Sequence, residues 1–187
     1  IKYMIPGDFS IKKIPPIASN CFTPRQVAAT IKACLHLCND YPNNETLFRT
    51  KDPRTKDPYC DLCKVSGKGE ILDDTIHNLL GCAHIQEEET LRKLKEEISG
   101  ILEPIFAAKG VYPEPNQTFN TWFWQPTAEV VGYILNPVSA ESESIFHHPK
   151  LRGKTQKIVQ LLQSYVNFTD QIRRKKLLQL QKEATDN

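Results

Sequence analysis

Cys60 and Cys63 stand two residues apart, thirteen residues separate that pair from His77, and Cys82 follows five positions later. Thiolate sulfur and imidazole nitrogen are the donors that Zn2+ takes in closed tetrahedral sites, often as a C-x2-C knuckle facing two donors from a helix. Cys60, Cys63, His77 and Cys82 would fill all four positions and leave none for water, so the expected ion is structural and not a Lewis acid. His84 competes for the fourth position, but it would have to reach back past Cys82 and ranks below it.

The local sequence supplies the parts that such a site needs. Gly67 and Gly69 offer a turn after the cysteine pair, and Asp73, Asp74 and Thr75 are helix-capping types. A helix over 76–81 would bring His77 and Cys82 within about one and a half turns of each other, with Leu79 and Leu80 toward the core. Their separation of five exceeds the ideal four-residue step, which places Cys82 at the helix end beside Gly81, where the backbone can adjust.

Other reactive residues make weaker patterns. Cys34 and Cys38 lie one turn apart, with His36 between them and Cys21 before; burial as small hydrophobes is favoured over a second metal site, because His36 points to another face. A zinc deaminase needs His-x-Glu ahead of Pro-Cys-x-x-Cys, and here the histidine follows the pair and Tyr59 intervenes after Pro58. His147 and His148 are adjacent and would diverge on a helix, with no identifiable carboxylate partner, so this fragment is not expected to be an enzyme. Six cysteines and acceptor tripeptides at Asn44, Asn116 and Asn167 raise a secreted disulfide protein, against which the metal-ligand spacing argues.

The elements that must position the site read as helices. Residues 1–20 are extended or linker-like, and residues 21–187 form a single helical domain with the knuckle at 58–85. Thr23 and Pro24 open a helix over 24–38 carrying Val27, Ile31 and Leu35, and residues 51–58 form a polar, proline-punctuated loop. Leu91, Leu94, Ile98, Ile101 and Leu102 keep helical register to about 103, where Pro104 should kink or end the helix. Residues 109–121 read as a loop, Trp122, Phe123 and Trp124 fit strand or helix, and Thr127 caps a short helix to Leu135. From about Thr155, the apolar stripe Ile158, Leu161, Leu162, Tyr165, Phe168 and Ile172 marks a long final helix. The fold class is mainly α, an irregular helical domain with one zinc knuckle.

Charge points to a partner. The net charge is only +2, yet from Phe146 onward nine basic residues stand against three acids. Arg152, Lys154, Lys157, Arg173, Arg174, Lys175 and Lys176 are the residues expected to neutralise phosphates, and Trp122, Trp124 and Tyr165 are candidates for stacking on bases. No apolar run approaches the length of a membrane span, so no membrane partner is expected, and an intracellular site, nuclear or cytoplasmic, is. A solvated basic face on a protein-interaction domain is the competing reading.

The segments "CDLC" and "DDTIHNLLGC" resemble the zinc-binding region C-terminal to the reverse transcriptase in LINE-type, non-LTR retrotransposon proteins. That pattern runs Cys-Pro-x-Cys, an acidic-Thr step, then His-x-Leu-Leu-x-x-Cys, and Cys60, Cys63, His77 and Cys82 fall on its four ligands. The chain lacks the proline after the first cysteine and carries a longer loop. The resemblance implies a module that handles RNA or DNA beside a polymerase, within a larger polypeptide whose flanking domains or a protein partner complete it. The paired aspartates of "ILDD" at 71–74 lie between two ligands and read as helix caps, not polymerase residues. BED-type fingers, which bind DNA, share the C-x2-C and H-x3-5-[H/C] frame.

Overall fold

The computed structural model describes residues 31–32, 35–36, 41–108, 110, 117–135 and 153–185. Among these, the elements are α1 (Asn44–Arg49), α2 (Asp61–Val65), a π-helical turn (His77–Gly81), α3 (Ala83–Gln86), α4 (Glu89–Ala108), α5 (Phe119–Phe123), α6 (Ala128–Leu135) and α7 (Thr155–Thr185). The only β pairing among the described residues is one antiparallel bridge, Tyr59 to Leu72. The linker reading of residues 1–20 and the cysteines at 21, 34 and 38 lie outside the described residues, while 31–32 and 35–36 are helical as expected for 24–38.

The two long helices carry the core. Their apolar stripes meet, Leu91, Ile98, Leu102 and Ile105 of α4 lying in one cluster with Ile158, Val159, Leu162 and Tyr165 of α7. Pro104 neither ends nor shortens α4, which runs to Ala108. The proline cannot donate to the carbonyl of Gly100, and Gly100 is solvent-exposed, so that acceptor faces water instead of a dry interior.

Beside α4 the aromatic residues resolve as helix and not strand. Thr118 caps α5, its side chain accepting from the Thr121 amide, so the helix starts inside the stretch read as a loop. Phe119 stacks on Phe123 at 5.3 Å, and Phe106 meets Phe123 edge-on at 5.8 Å. The indole of Trp124 donates to Ser99 Oγ at 2.9 Å, which gives this polar atom a partner inside the core. Thr127 caps α6 as its sequence predicts, accepting from the Val130 amide at 3.3 Å.

α1 ends in a Schellman motif with an unusual residue. The Asp52 amide reaches Leu47 O at 2.8 Å and the Lys51 amide reaches Phe48 O at 3.0 Å. Lys51 therefore occupies the left-handed position at φ 56°, where glycine is the usual choice. A side chain there costs about 1 kcal/mol relative to glycine.

Candidate metal centre

The site is built from a short hairpin, one helical turn and one wide turn. Pairing of the Cys60 amide with Ile71 O and of the Asp73 amide with Pro58 O closes the hairpin at 2.8 and 2.9 Å. Cys60 is the N-cap of α2 and Cys63 lies on it, so the knuckle is a helical turn and not an open loop. Gly67 and Gly69 take φ of 72° and 92° on the way back, as the turn reading requires.

The five-residue step is accommodated by winding and not by fraying. The backbone over His77–Gly81 is π-helical, and the Cys82 amide donates to His77 O at 2.7 Å. That i to i+5 bond sets His77 and Cys82 on one face, which an α-helix would not do at this spacing. Gly81 suits this turn, since a Cβ there would lie 3.3 Å from His77 Nδ1, a tight contact that the ring would have to relieve by shifting.

The four side chains converge. One donor atom from each of Cys60, Cys63, His77 and Cys82 lies within 4.8 Å of every other, and all four residues are buried. Cys63 Sγ is 3.4 Å from His77 Nε2 and 4.0 Å from Cys82 Sγ. A tetrahedral ion with metal–sulfur bonds of about 2.3 Å needs donors roughly 3.8 Å apart, so the arrangement fits a single ion. All three cysteines are free thiols. A hydrogen bond to Cys82 and then burial push the Cys60 thiol up to about 12, and burial pushes Cys63 up to about 11. On the protein's own groups these two sulfurs stay protonated at neutral pH, and a bound cation is what would let them ionise. His84 is not in the cluster, its Nε2 lying 2.7 Å from Ser66 Oγ.

The two aspartates before the histidine divide their roles. Asp74 caps the turn, accepting from the His77 amide at 2.8 Å. Asp73 is fully buried and accepts from the Asn44 amide, the Asn78 side chain and Arg173 Nη2. Arg173 thus crosses from the middle of α7 to the hairpin and closes a buried ion pair. One turn earlier on α7, Asp170 accepts from the Tyr41 hydroxyl and pairs with Lys32 at 2.6 Å and Arg174 at 3.1 Å. Tyr165, also on α7, donates to Leu79 O at 2.6 Å and so ties the helix to the wide turn itself.

This network redraws the basic face. Arg173 is interior, Lys157 pairs with Glu97 at 2.8 Å and Lys176 with Glu88 at 2.7 Å. Lys154 and Lys175 are exposed, and Arg174, although bonded to Asp170, keeps a side chain that is 64 % exposed. Arg152 lies outside the described residues, as do His147 and His148. Trp124 and Tyr165 are buried, so neither presents a free face to a base, and Trp122 is partly buried against the same core. Asn44 and Asn167 are likewise buried, which removes them as glycan acceptors in the folded chain.

Sequence reasoning missed Asp73 and Arg173 as a pair. The signal was present in the phase of α7: Ile158, Leu162, Tyr165, Thr169 and Arg173 step by three or four, and the first four are buried. Counting the stripe one step further puts Arg173 indoors.

No family model, curated protein or solved structure matches the chain.

Proposed function

We propose that the Cys60, Cys63, His77 and Cys82 centre holds Zn2+ and that the domain it stabilises binds RNA or DNA through phosphate contacts, as an accessory to a reverse transcriptase. The observation that carries the zinc assignment is the buried set of three thiols and one imidazole at tetrahedral separations. Soft thiolate with imidazole is a donor set suited to zinc, and four protein ligands leave no place for substrate. The ion would contribute folding free energy and nothing to a reaction.

Nucleic-acid binding is supported by the cations that α7 leaves outside. Lys154, Lys175 and Lys182 are exposed, and Arg174 has guanidinium nitrogens beyond the one that meets Asp170. They can neutralise phosphates without reading sequence. The ligand pattern that resembles LINE-type proteins supports the polymerase context, with the BED-type frame as its DNA-binding counterpart.

A protein-interaction domain with a purely structural zinc is the second reading. Leu178, 58 % exposed beside Arg174, Lys175 and Lys182, favours it. A filter-binding titration separates the two. Affinity for RNA or DNA that falls steeply between about 50 and 200 mM salt is the expected result of phosphate contacts. No retention at low salt removes the first reading.

A further inference from the structure

A second surface lies at the other end of the hairpin, on the loop that joins α1 to Cys60. Phe48, Arg49, Lys51, Asp52, Pro53, Thr55 and Lys56 line an open hollow of about 510 Å³. Phe48 is 49 % exposed although it belongs to a helix whose neighbours Asn44 and Thr46 are buried. The loop's two acids are already taken. Asp52 accepts two bonds from the Arg54 guanidinium at 2.8 Å, and Asp57 pairs with Lys64. Lys51 and Lys56 are exposed with no acidic partner among the described residues.

Lys51 adds an observation of a different kind. It holds the left-handed position of the Schellman motif, where glycine would be better for the fold. Strained backbone positions are held in place by the structure around them and cluster at functional sites. An exposed aromatic ring sharing one hollow with two cations that have no acidic partner among the described residues has the chemistry of a single-stranded nucleic-acid subsite, the base on the ring and phosphates on the ammonium groups.

From this geometry we infer that the hollow takes one or two nucleotides of single-stranded RNA or DNA, with the base against Phe48 and flanking phosphates on Lys51 and Lys56. This rests on the nucleic-acid reading and locates a contact for it away from α7. A polypeptide would need donors and acceptors to pair along its backbone, whereas the hollow offers a ring face and charge.

The test uses the full zinc-loaded chain and two probes, a fluorescent twelve-nucleotide polythymidylate and a duplex of the same length. Phe48→Ala is expected to weaken polythymidylate binding on the order of tenfold and duplex binding by less than about twofold. Lys51→Gly is expected to weaken polythymidylate and to lower the salt slope by about 0.7, while the melting temperature holds or rises. A structural role for Lys51 would move the melting temperature the other way. If both variants bind polythymidylate like the parent while Arg174→Ala/Lys175→Ala/Lys182→Ala does not, the hollow is overturned and the α7 reading stands. Equal losses on both probes for Phe48→Ala also overturn it. A parent chain that binds neither probe at low salt overturns both.

Discussion

Two regions share α7 and are held together by opposite means. Toward its start, the helix packs against α4 and shares one apolar cluster with residues of α5 and α6, many of them fully buried. From Tyr165 to Arg173 it meets the candidate metal centre through a tyrosine hydroxyl on Leu79 O and a guanidinium on Asp73. The first region sums many small, undirected contributions, and losing a methyl group there costs little. The second depends on a few directed interactions whose members are buried, so that removing one leaves another stranded in low dielectric. Short segments explain the difference: α2, the wide turn and α3 are four or five residues each and cannot enclose a core of their own.

Metal removal should expose this contrast most strongly. A structural zinc at this centre would supply on the order of 10 kcal/mol of apparent folding free energy, so chelation or Cys63→Ser should unfold 58–86. Metal analysis by mass spectrometry together with heteronuclear NMR checks it, the knuckle resonances collapsing while those of the α4 to α6 aromatic cluster persist or broaden later. Simultaneous loss of both sets would show that the two regions are one cooperative unit.

Arg173→Met comes next. It leaves Asp73 buried beside Asn44 and Asn78 without its cation, at a cost of about 3–5 kcal/mol in urea unfolding. Asp73→Asn combined with Arg173→Met should recover most of that loss, because the stranded charge is gone. If the double variant is no better than the single, the loss does not come from the stranded charge. Nucleic-acid affinity of the double variant should match the parent, since Arg173 does not face solvent.

Acid should weaken the polar region third. His36 is stacked on Tyr41 at 3.8 Å and lies 3.1 Å from Thr75. Burial, helped by Arg173 and opposed by Asp170, lowers it from 6.5 to about 3. The folded chain thus keeps this ring neutral where the unfolded chain protonates it. Stability is full above pH 6.5 and falls as pH drops toward 3, by about 2 kcal/mol at pH 5. His36→Phe keeps the stacking and cannot titrate, so the difference in urea midpoint between the two proteins at pH 7 and pH 5 isolates the effect. A difference that does not change with pH would remove His36 as its source.

Ile134→Val, in the apolar region, should be mildest, at roughly 1 kcal/mol in thermal unfolding with metal content unchanged. A loss above about 3 kcal/mol would place this core among the brittle parts instead.

The residues differ in how far ahead they could be read. Cys60, Cys63, His77 and Cys82 announce themselves because ligand type and spacing are local properties, and the stripes of α4 and α7 are legible for the same reason. Asp73 and Arg173 are a hundred residues apart, and nothing near either one names the other. A basic run at 173–176 looks like one surface, but helical phase sends Arg173 inward while Lys175 stays out. Pro104 reads as a stop because its effect depends on whether Gly100 faces water. Lys51 is invisible to pattern altogether, since glycine and not lysine marks the motif it completes.

The wide turn has one more effect, on counting. The amides of Ile85 and Gln86 both bond to the carbonyl of Cys82 at 2.9 Å. Ile85 is buried, and Gln86 reaches Leu79 O and receives the Tyr165 hydroxyl. Their places in the fold are therefore numbered from a ligand. An insertion or deletion of one residue between His77 and Cys82 would act as a frameshift of packing, with the chain still in its reading frame and every later contact of α3 out of step.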